Sequence, residues 1–234
     1  MMKFKSFLFI ICFFLWSIII NILFIPSLIL PRNVIVFGQR FWALGSLAIL
    51  KIATGVCYEV KGKSNIPDEA HIVALKHQSM WDTIVLHIIL NDPAIVMKKE
   101  LLKIPIYGWY CIKSKMIPID RSSGPKSLKM LLKLSQQASK EKRPIAIFPQ
   151  GTRISPGAKA SYLPGVAALY KNLHIPVVPV ALNSGLFWPK NKFIVKKGII
   201  TFEFLEIIEP GLDKKKFIKI LEKKIEESSN KLSK

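Results

Sequence analysis

Apolar residues are unevenly distributed along the chain, and the N-terminal region is the most apolar part. No charged residue occurs in Phe7–Leu30, so this segment is predicted to form a helix long enough to cross a hydrocarbon core of about 30 Å. Pro26 would bend or end that helix early. A second apolar stretch, Phe41–Val56, contains Lys51 and is short for a membrane span, which favours an interfacial or re-entrant helix.

Beyond residue 56, short β-rich runs alternate with helical stretches, a pattern typical of an α/β domain. The predicted strands are Cys57–Val60, Ile72–Leu75, Ala94–Met97, Met116–Ile119, Ile145–Phe148, Val177–Leu182 and Ile199–Leu205. The predicted helices are Met80–Leu90, Pro125–Lys140, Gly165–Asn172 and Lys214–Ser228. The last helix is amphipathic, which favours packing against the domain over docking on a membrane surface. We therefore predict a membrane-inserted helical region over residues 1–56 and an α/β domain over residues 57–234.

The charge balance indicates a polyanionic partner. Lys and Arg number 35 against 15 Asp and Glu, which gives a formal net charge of +20. Anionic membrane lipids are favoured over nucleic acid because the N-terminus is apolar and each Lys or Arg near a membrane surface is worth about 1 kcal/mol. The basic residues also lack a pattern that would read a nucleic-acid groove.

The sequence leaves the orientation at the membrane open. Lys3 and Lys5 flank one end of the apolar segment, and Arg32 and Arg40 flank the other, so the flanking positive charges do not select a direction. We expect either a monotopic helical hairpin or a span, in both cases with residues 57–234 on the cytoplasmic face of the inner or plasma membrane.

The cysteines and histidines show no metal-ligand pattern. They are Cys12, Cys57, Cys111, His71, His77, His87 and His174. Their scattered spacing predicts no metal site and no disulfide framework, and it favours a reducing compartment.

His77 and Asp82 are the first candidate catalytic residues. A histidine that removes a proton from an alcohol needs a second group to fix its tautomer and stabilise its charged form, and a carboxylate can be that group. Five residues rotate a helix by about 500°, so the two side chains can meet only if His77 precedes a helix whose first turn contains Asp82. Ser79 would then be the N-cap, and Ser79 and Asp82 match a capping box. A helix cap without catalytic duty is the alternative role for Asp82.

Two arginine-bearing segments, residues 119–121 and 148–153, each follow a predicted strand, at the edge where ligands of open α/β sheets bind. In the second segment Gly151 permits a tight turn, Thr152 offers a hydroxyl, and Arg153 offers a planar fork suited to phosphate. In the first segment Asp120 and Arg121 suit either a ligand site or a structural ion pair. An ordinary turn with a surface arginine is the alternative for the second.

From about residue 58 to 209 the sequence resembles the 1-acyl-sn-glycerol-3-phosphate acyltransferase family. Four blocks occur in the family's order: His77 with Asp82, then residues 99–121, 148–153 and 175–181. The resemblance implies a mixed, mostly parallel sheet flanked by helices. Two positions depart from the family, because Lys76 stands where it usually has Asn and Gln150 where it usually has Glu.

The resemblance also implies a reaction: transfer of a fatty acyl group from acyl-CoA or acyl-carrier protein to the sn-2 hydroxyl of lysophosphatidic acid, without a cofactor. We hypothesise that His77 is the base and Asp82 orients it. The expected phosphate-binding residues are Arg121, Gly151, Thr152 and Arg153, and the expected supporting residues are Lys76, Ser79, Gln150 and Pro179. The alternatives are an acyltransferase for another lysolipid and a non-catalytic basic membrane adaptor.

Overall fold

Two antiparallel helices form an N-terminal hairpin in the computed structural model, which describes residues 2–120, 123–190 and 192–233. Helix α1 spans Met2–Leu23, and a short 3-10 helix, Ile25–Leu28, follows it. Helix α2 spans Arg32–Thr54. Two tryptophans form hydrogen bonds between the helices. The indole N–H of Trp16 donates to the carbonyl of Trp42 at 3.0 Å, and the indole N–H of Trp42 donates to Ser17 Oγ at 3.0 Å.

The second helix is longer than the sequence predicted. It begins at Arg32 instead of Phe41 and has 23 residues, so the predicted beginning and short length were wrong, while the interfacial or re-entrant placement stays a prediction. Two polar side chains near its beginning bind the α/β domain: Arg32 pairs with Asp92, and Gln39 donates to Ser114 Oγ at 3.1 Å.

Both helices of the hairpin are long and apolar enough to cross a membrane. Only 22% of the most apolar window of α1 and 33% of that of α2 are buried inside the structure. Most of their apolar side chains therefore face outward, as expected of helices that contact lipid.

A sheet of 7 strands in the order β1-β7-β6-β2-β5-β3-β4 forms the centre of the domain. The strands are β1 Val56–Lys61, β2 Ile72–Leu75, β3 Ala94–Lys98, β4 Ile117–Ile119, β5 Ile145–Ile147, β6 Val177–Leu182 and β7 Gly198–Phe204. Neighbouring strands are parallel except β6 and β7, which are antiparallel. This confirms the mixed, mostly parallel sheet and the predicted strands.

Helices cover both faces of the sheet. They are α3 Trp81–Ile89, α4 Tyr107–Lys113, α5 Gly124–Lys140, α6 Pro164–Leu173, α7 Ser184–Phe187 and α8 Lys214–Lys231. The four helices predicted for the domain are confirmed, whereas the short helices α4 and α7 were not predicted. Seven and four residues are too few to show a helical apolar period.

Strand β2 shows how the two sides of the core arise. Its side chains alternate, so Val73 and Leu75 pack with the hairpin and α3 while Ile72 and Ala74 pack with α5, α6 and α8. All four are fully buried, as expected for a central strand covered on both faces. The amphipathic helix α8 thus packs on the sheet, as predicted. The carboxyl ends of the parallel strands β2 and β5 lie side by side, and the next residues of both strands form the site.

Candidate active site

The side chains of His77 and Asp82 meet directly. His77 Nδ1 lies 2.9 Å from Asp82 Oδ2. Helix α3 begins at Trp81, so His77 is in the loop before it and Asp82 in its first turn, as the spacing required. The Asp82 carboxylate is completely buried, and no described residue hydrogen-bonds to the other ring nitrogen of His77, Nε2.

Three further donors hold the Asp82 carboxylate. The backbone N–H groups of Gln78 and Ser79 donate to Oδ2 at 2.7 and 2.8 Å, and the Ser184 hydroxyl donates to Oδ1 at 2.5 Å. These hydrogen bonds fix the position and orientation of the buried carboxylate. Its contact with Nδ1 favours the His77 tautomer that has its proton on Nδ1, in which Nε2 has a lone pair able to accept a proton.

The predicted N-cap was wrong by one residue. Met80 is the N-cap of α3, and Ser79 lies before it. The Ser79 hydroxyl accepts from the N–H of Trp81 at 3.2 Å. The N–H groups of Gln78 and Ser79, in the loop before the helix, donate to the Asp82 carboxylate. The Asp82 carboxylate still accepts from the N–H of Ser79 before the helix. The same side chain therefore binds a backbone N–H at the start of α3 and contacts His77.

The turn after β5 packs against the histidine. The ring of Phe148 stacks on the imidazole of His77 with 3.9 Å between centroids. The N–H of Ile154 donates to the carbonyl of His77 at 2.7 Å. Within the turn Gly151 has φ +66°, and a Cβ there would lie 2.4 Å from the side chain of Leu163. The left-handed backbone conformation therefore favours glycine, and a Cβ there would also have to displace the exposed end of the Leu163 side chain.

Thr152 and Arg153 border the same space as His77. Thr152 is exposed and Arg153 half-buried. Lys190 Nζ donates to the carbonyl of Arg153 at 3.1 Å and adds a second cation beside the turn. In the described part of the chain the Arg153 guanidinium has no ion pair, so its planar fork remains available for an anion.

Arg121, the other predicted phosphate-binding residue, lies outside the described residues, and its role stays a prediction. Its neighbour Asp120 lines the same cavity as His77. The Asp120 carboxylate lies 3.5 Å from Lys99 Nζ. The carboxyl end of β4 is therefore on the same side of the sheet as the His77 loop.

The supporting residues take different places. Lys76 and Gln150 are buried, with 2% and 6% of their surface exposed, and both contact Glu226 of α8. Pro179 lies inside β6 opposite Ala74 of β2, so it shapes the sheet and does not border the cavity.

An apolar cavity of about 1270 Å³ lies next to His77. This volume exceeds the range of about 300–1,000 Å³ typical of small-molecule pockets. Its walls come from both parts of the molecule: Phe13, Ile20 and Trp42 of the hairpin, and Tyr107, Cys111 and Leu131 of the domain. The arrangement suits a long apolar group whose polar end reaches His77 and Arg153.

The cavity surroundings disfavour charge. Burial raises the pKa of the Cys111 thiol to about 11 and lowers the pKa of His87 to about 4. The thiol is thus protonated at neutral pH and a poor nucleophile. A covalent acyl-cysteine route through Cys111 is therefore disfavoured.

Sequence reasoning missed three residues of the site: Phe148 as a partner of His77, Ser184 and Glu226. Ser184 and Asp82 are 102 residues apart, and a serine after a strand carries no distinctive pattern. Phe148 was quoted within its motif, but an aromatic residue at a strand end reads equally well as core. Its stacking depends on the neighbouring position of β2 and β5, which the sequence did not specify.

Comparison with known proteins places the chain in a family. The family model described as Acyltransferase matches residues 57–183, and the chain belongs to this family. Among curated proteins it is similar to the 1-acyl-sn-glycerol-3-phosphate acyltransferases of Pseudomonas aeruginosa, 36% identical over 164 residues, and Helicobacter pylori, 33% identical over 137 residues. The matched segments cover 70% and 57% of this chain. They span 64% and 56% of the length of those relatives.

Among solved structures the chain is similar to the 1-acyl-sn-glycerophosphate (LPA) acyltransferase from Thermotoga maritima. The TM-score is 0.81 at 21% identity, and the match covers 99% of this chain and 98% of that one. This likeness shows that the fold, including the hairpin, is shared.

Proposed function

We propose that this protein transfers a fatty acyl group from an acyl thioester to the sn-2 hydroxyl of 1-acyl-sn-glycerol-3-phosphate and so produces phosphatidic acid. The observation that carries the proposal is the His77–Asp82 pair, with its 2.9 Å contact, beside a large apolar cavity that also borders Arg153. A base, an anion-binding group and an apolar compartment are the three features that acylation of a lipid phosphate needs. The names of the curated relatives favour the same acceptor.

The reaction follows from the proton held on Nδ1. Nε2 of His77 accepts the proton of the sn-2 hydroxyl while the hydroxyl oxygen attacks the thioester carbonyl. The C–S bond then breaks, the new C–O ester bond remains, and the imidazolium returns the proton to the departing thiolate. Asp82 stabilises the imidazolium formed in between, and positioned base catalysis of this kind typically contributes about 10²–10⁴-fold in rate.

The phosphate of the acceptor is placed on the turn after β5. The Arg153 guanidinium can bind two phosphate oxygens at once, and Thr152 and the tight turn at Gly151 offer a hydroxyl and backbone N–H groups. Arg121 is proposed as a second phosphate ligand on the strength of its motif. The thioester donor is acyl-CoA or acyl-carrier protein, and no cofactor takes part.

The hairpin is proposed to hold the enzyme in the membrane. Residues 1–56 form the membrane-inserted region and residues 57–234 the catalytic domain. The outward-facing apolar side chains of α1 and α2 and the net charge of +20 support binding to anionic lipids. Acyl-CoA and acyl-carrier protein are cytosolic, which supports a domain on the cytoplasmic face. Protease should therefore cleave the C-terminus from the cytoplasmic side of sealed vesicles, and protection there would contradict this orientation.

An acceptor panel tests the proposed function. The purified full chain is supplied with labelled acyl-CoA or acyl-carrier protein together with lysophosphatidic acid, lysophosphatidylcholine or lysophosphatidylethanolamine. Phosphatidic acid should be the main product. Preference for an acceptor whose phosphate carries a further headgroup would contradict the phosphate-monoester assignment, and no transfer with any acceptor would favour an adaptor.

A further inference from the structure

One carboxylate, that of Glu226 on α8, contacts three separate segments of the site. Its Oε2 pairs with Lys76 Nζ. Its Oε1 accepts from Gln150 Nε2 at 3.2 Å and from the Tyr162 hydroxyl at 3.1 Å. Lys76 directly precedes His77, Gln150 directly precedes Gly151, and Tyr162 belongs to the segment that leads into α6.

The cluster lies behind the site. None of its members lines the cavity that borders His77 and Arg153, so the carboxylate does not touch a bound lipid. The Lys76 ammonium is almost completely removed from water, and such a cation is strongly disfavoured unless a carboxylate lies against it. Glu226 is that carboxylate, and without it Lys76 would have to move toward water and take the His77 loop with it.

Backbone contacts connect the cluster to the reacting groups. The N–H of Leu163, next to Tyr162, donates to the carbonyl of Pro149 at 2.8 Å. The N–H of Ile154 donates to the carbonyl of His77 at 2.7 Å. The loop that contains His77 and the turn that contains Arg153 are thus joined in two ways. The backbone hydrogen bond between Ile154 and His77 joins them next to the cavity, and Glu226 joins them away from it through Lys76 and Gln150.

The two departures from the family pattern meet in this cluster. Position 150, where the family usually has a carboxylate, carries an amide whose buried Oε1 has no hydrogen-bond partner among the described residues, and the carboxylate comes from α8 instead. Burial and the nearby Glu226 raise the pKa of the Tyr162 phenol, so Tyr162 stays protonated and donates its hydrogen. The three donors therefore converge on one charged acceptor.

We propose that Glu226 is a positioning residue, which sets the relative placement of His77 and the phosphate-binding turn by holding Lys76, Gln150 and Tyr162 together. This inference rests on the proposed function. Loss of the carboxylate should change both the rate of the chemical step and the binding of the phosphate-bearing acceptor, while the binding of the thioester donor is unaffected.

Exchange of the charge between two positions tests the inference. Glu226→Gln should lower kcat about 10- to 100-fold, because small displacements of reacting groups have effects of that size, and it should raise KM for lysophosphatidic acid but not for the donor. The double variant Gln150→Glu with Glu226→Gln returns a carboxylate to the same cluster and should recover turnover to within about fivefold of wild type. The control Glu227→Gln, at an exposed neighbour on α8, should behave as wild type.

Thermal unfolding and the folded fraction are measured for each variant, and kinetic constants are expressed per folded enzyme. If Glu226→Gln does not fold, Glu226→Asp, which keeps the charge and shortens the reach, should show the same kinetic split. The inference is overturned if the single variants lose only thermal stability while kcat and KM per folded enzyme stay at wild-type values, or if the charge exchange fails to restore turnover. An inactive wild type would instead refute the proposed function, and the inference would fall with it.

Discussion

The imidazole of His77 stacks on the ring of Phe148 with 3.9 Å between the ring centroids and 29° between the ring planes. Phe148 follows β5 and begins the turn that contains Arg153. The proposed base therefore rests on the segment proposed to bind phosphate. Phe148 fixes one face of the imidazole and Asp82 fixes its Nδ1 edge, so the ring has a defined orientation at the border of the cavity.

Phe148→Leu should lower kcat about tenfold, because the imidazole gains freedom to tilt away from the acceptor hydroxyl. KM values for both substrates should change less than kcat, since Phe148 is only one of many residues that line the cavity, whereas it is the ring that stacks on His77. Steady-state kinetics on the purified variant measure both effects. Phe193→Leu, at a half-exposed phenylalanine outside the cavity lining, is the control. An unchanged kcat for Phe148→Leu would show that the stacking is incidental.

Ser184→Ala should lower the free energy of unfolding by about 1.5–3 kcal/mol, the usual value of a hydrogen bond to a charged group. The hydroxyl donates to the buried Oδ1 of Asp82 at 2.5 Å, and alanine leaves that oxygen without this donor. We expect a smaller fall in kcat than for changes at Asp82 itself, because the Oδ2 contacts remain. Denaturant unfolding and kinetics measure the two effects, with Ser64→Ala, at an exposed serine, as the control. Wild-type stability would contradict the importance of this contact.

Arg153→Ala should raise KM for lysophosphatidic acid by about tenfold or more, because a charge-assisted hydrogen bond is worth about 1.5–3 kcal/mol. Arg153→Lys should recover part of the loss, since lysine keeps the charge but lacks the planar fork. KM for the thioester donor should stay constant in both variants. Lys171→Ala, at an exposed cation on α6, is the control. A selective rise in the donor KM would assign Arg153 to the other substrate.

His87 makes the stability of the protein depend on pH. Burial lowers its pKa in the folded state from 6.5 to about 4, whereas in the unfolded chain it takes up a proton near pH 6.5. Between these pH values the unfolded state binds more protons than the folded state. The contribution of the buried neutral His87 to stability is therefore complete above about pH 6.5 and is lost as pH falls toward 4. The loss amounts to at most about 3 kcal/mol.

His87→Leu should therefore reduce the fall in unfolding temperature between pH 7 and pH 4.5. His174→Asn, at an exposed histidine whose left-handed backbone asparagine tolerates, should leave that fall unchanged. Thermal unfolding across this pH range measures the effect. An identical pH dependence for His87→Leu and wild type would show that His87 is hydrated in the folded protein.

The sequence predicted the features that depend on local pattern. The apolar runs at Ile72–Leu75 and Val177–Leu182 are buried strands because they lack polar interruptions, and the spacing of His77 and Asp82 restricted the pair to a loop and a first helical turn. The beginning of α2 was missed because polar residues such as Arg32 and Gln39 interrupt its apolar pattern. Those side chains bind partners in the domain, and a local pattern carries no information about such partners.

The same reason explains the missed members of the site. Glu226 and Lys76 are 150 residues apart, and a lysine and a glutamate in a strongly basic chain look like surface residues. Their pairing follows from the packing of α8 on the sheet beside the carboxyl end of β2. The apolar stripe of α8 predicted that it packs on the domain, but the stripe does not determine which polar residue points toward Lys76.

The most direct test of the central claim is acyl transfer to lysophosphatidic acid by wild type and by His77→Ala, with equal amounts of folded protein in the same lipid vesicles. We predict that the wild type forms phosphatidic acid, and that His77→Ala binds the vesicles equally well but is slower by about 10²–10⁴-fold. Wild-type turnover in His77→Ala would contradict the assignment of His77 as the base.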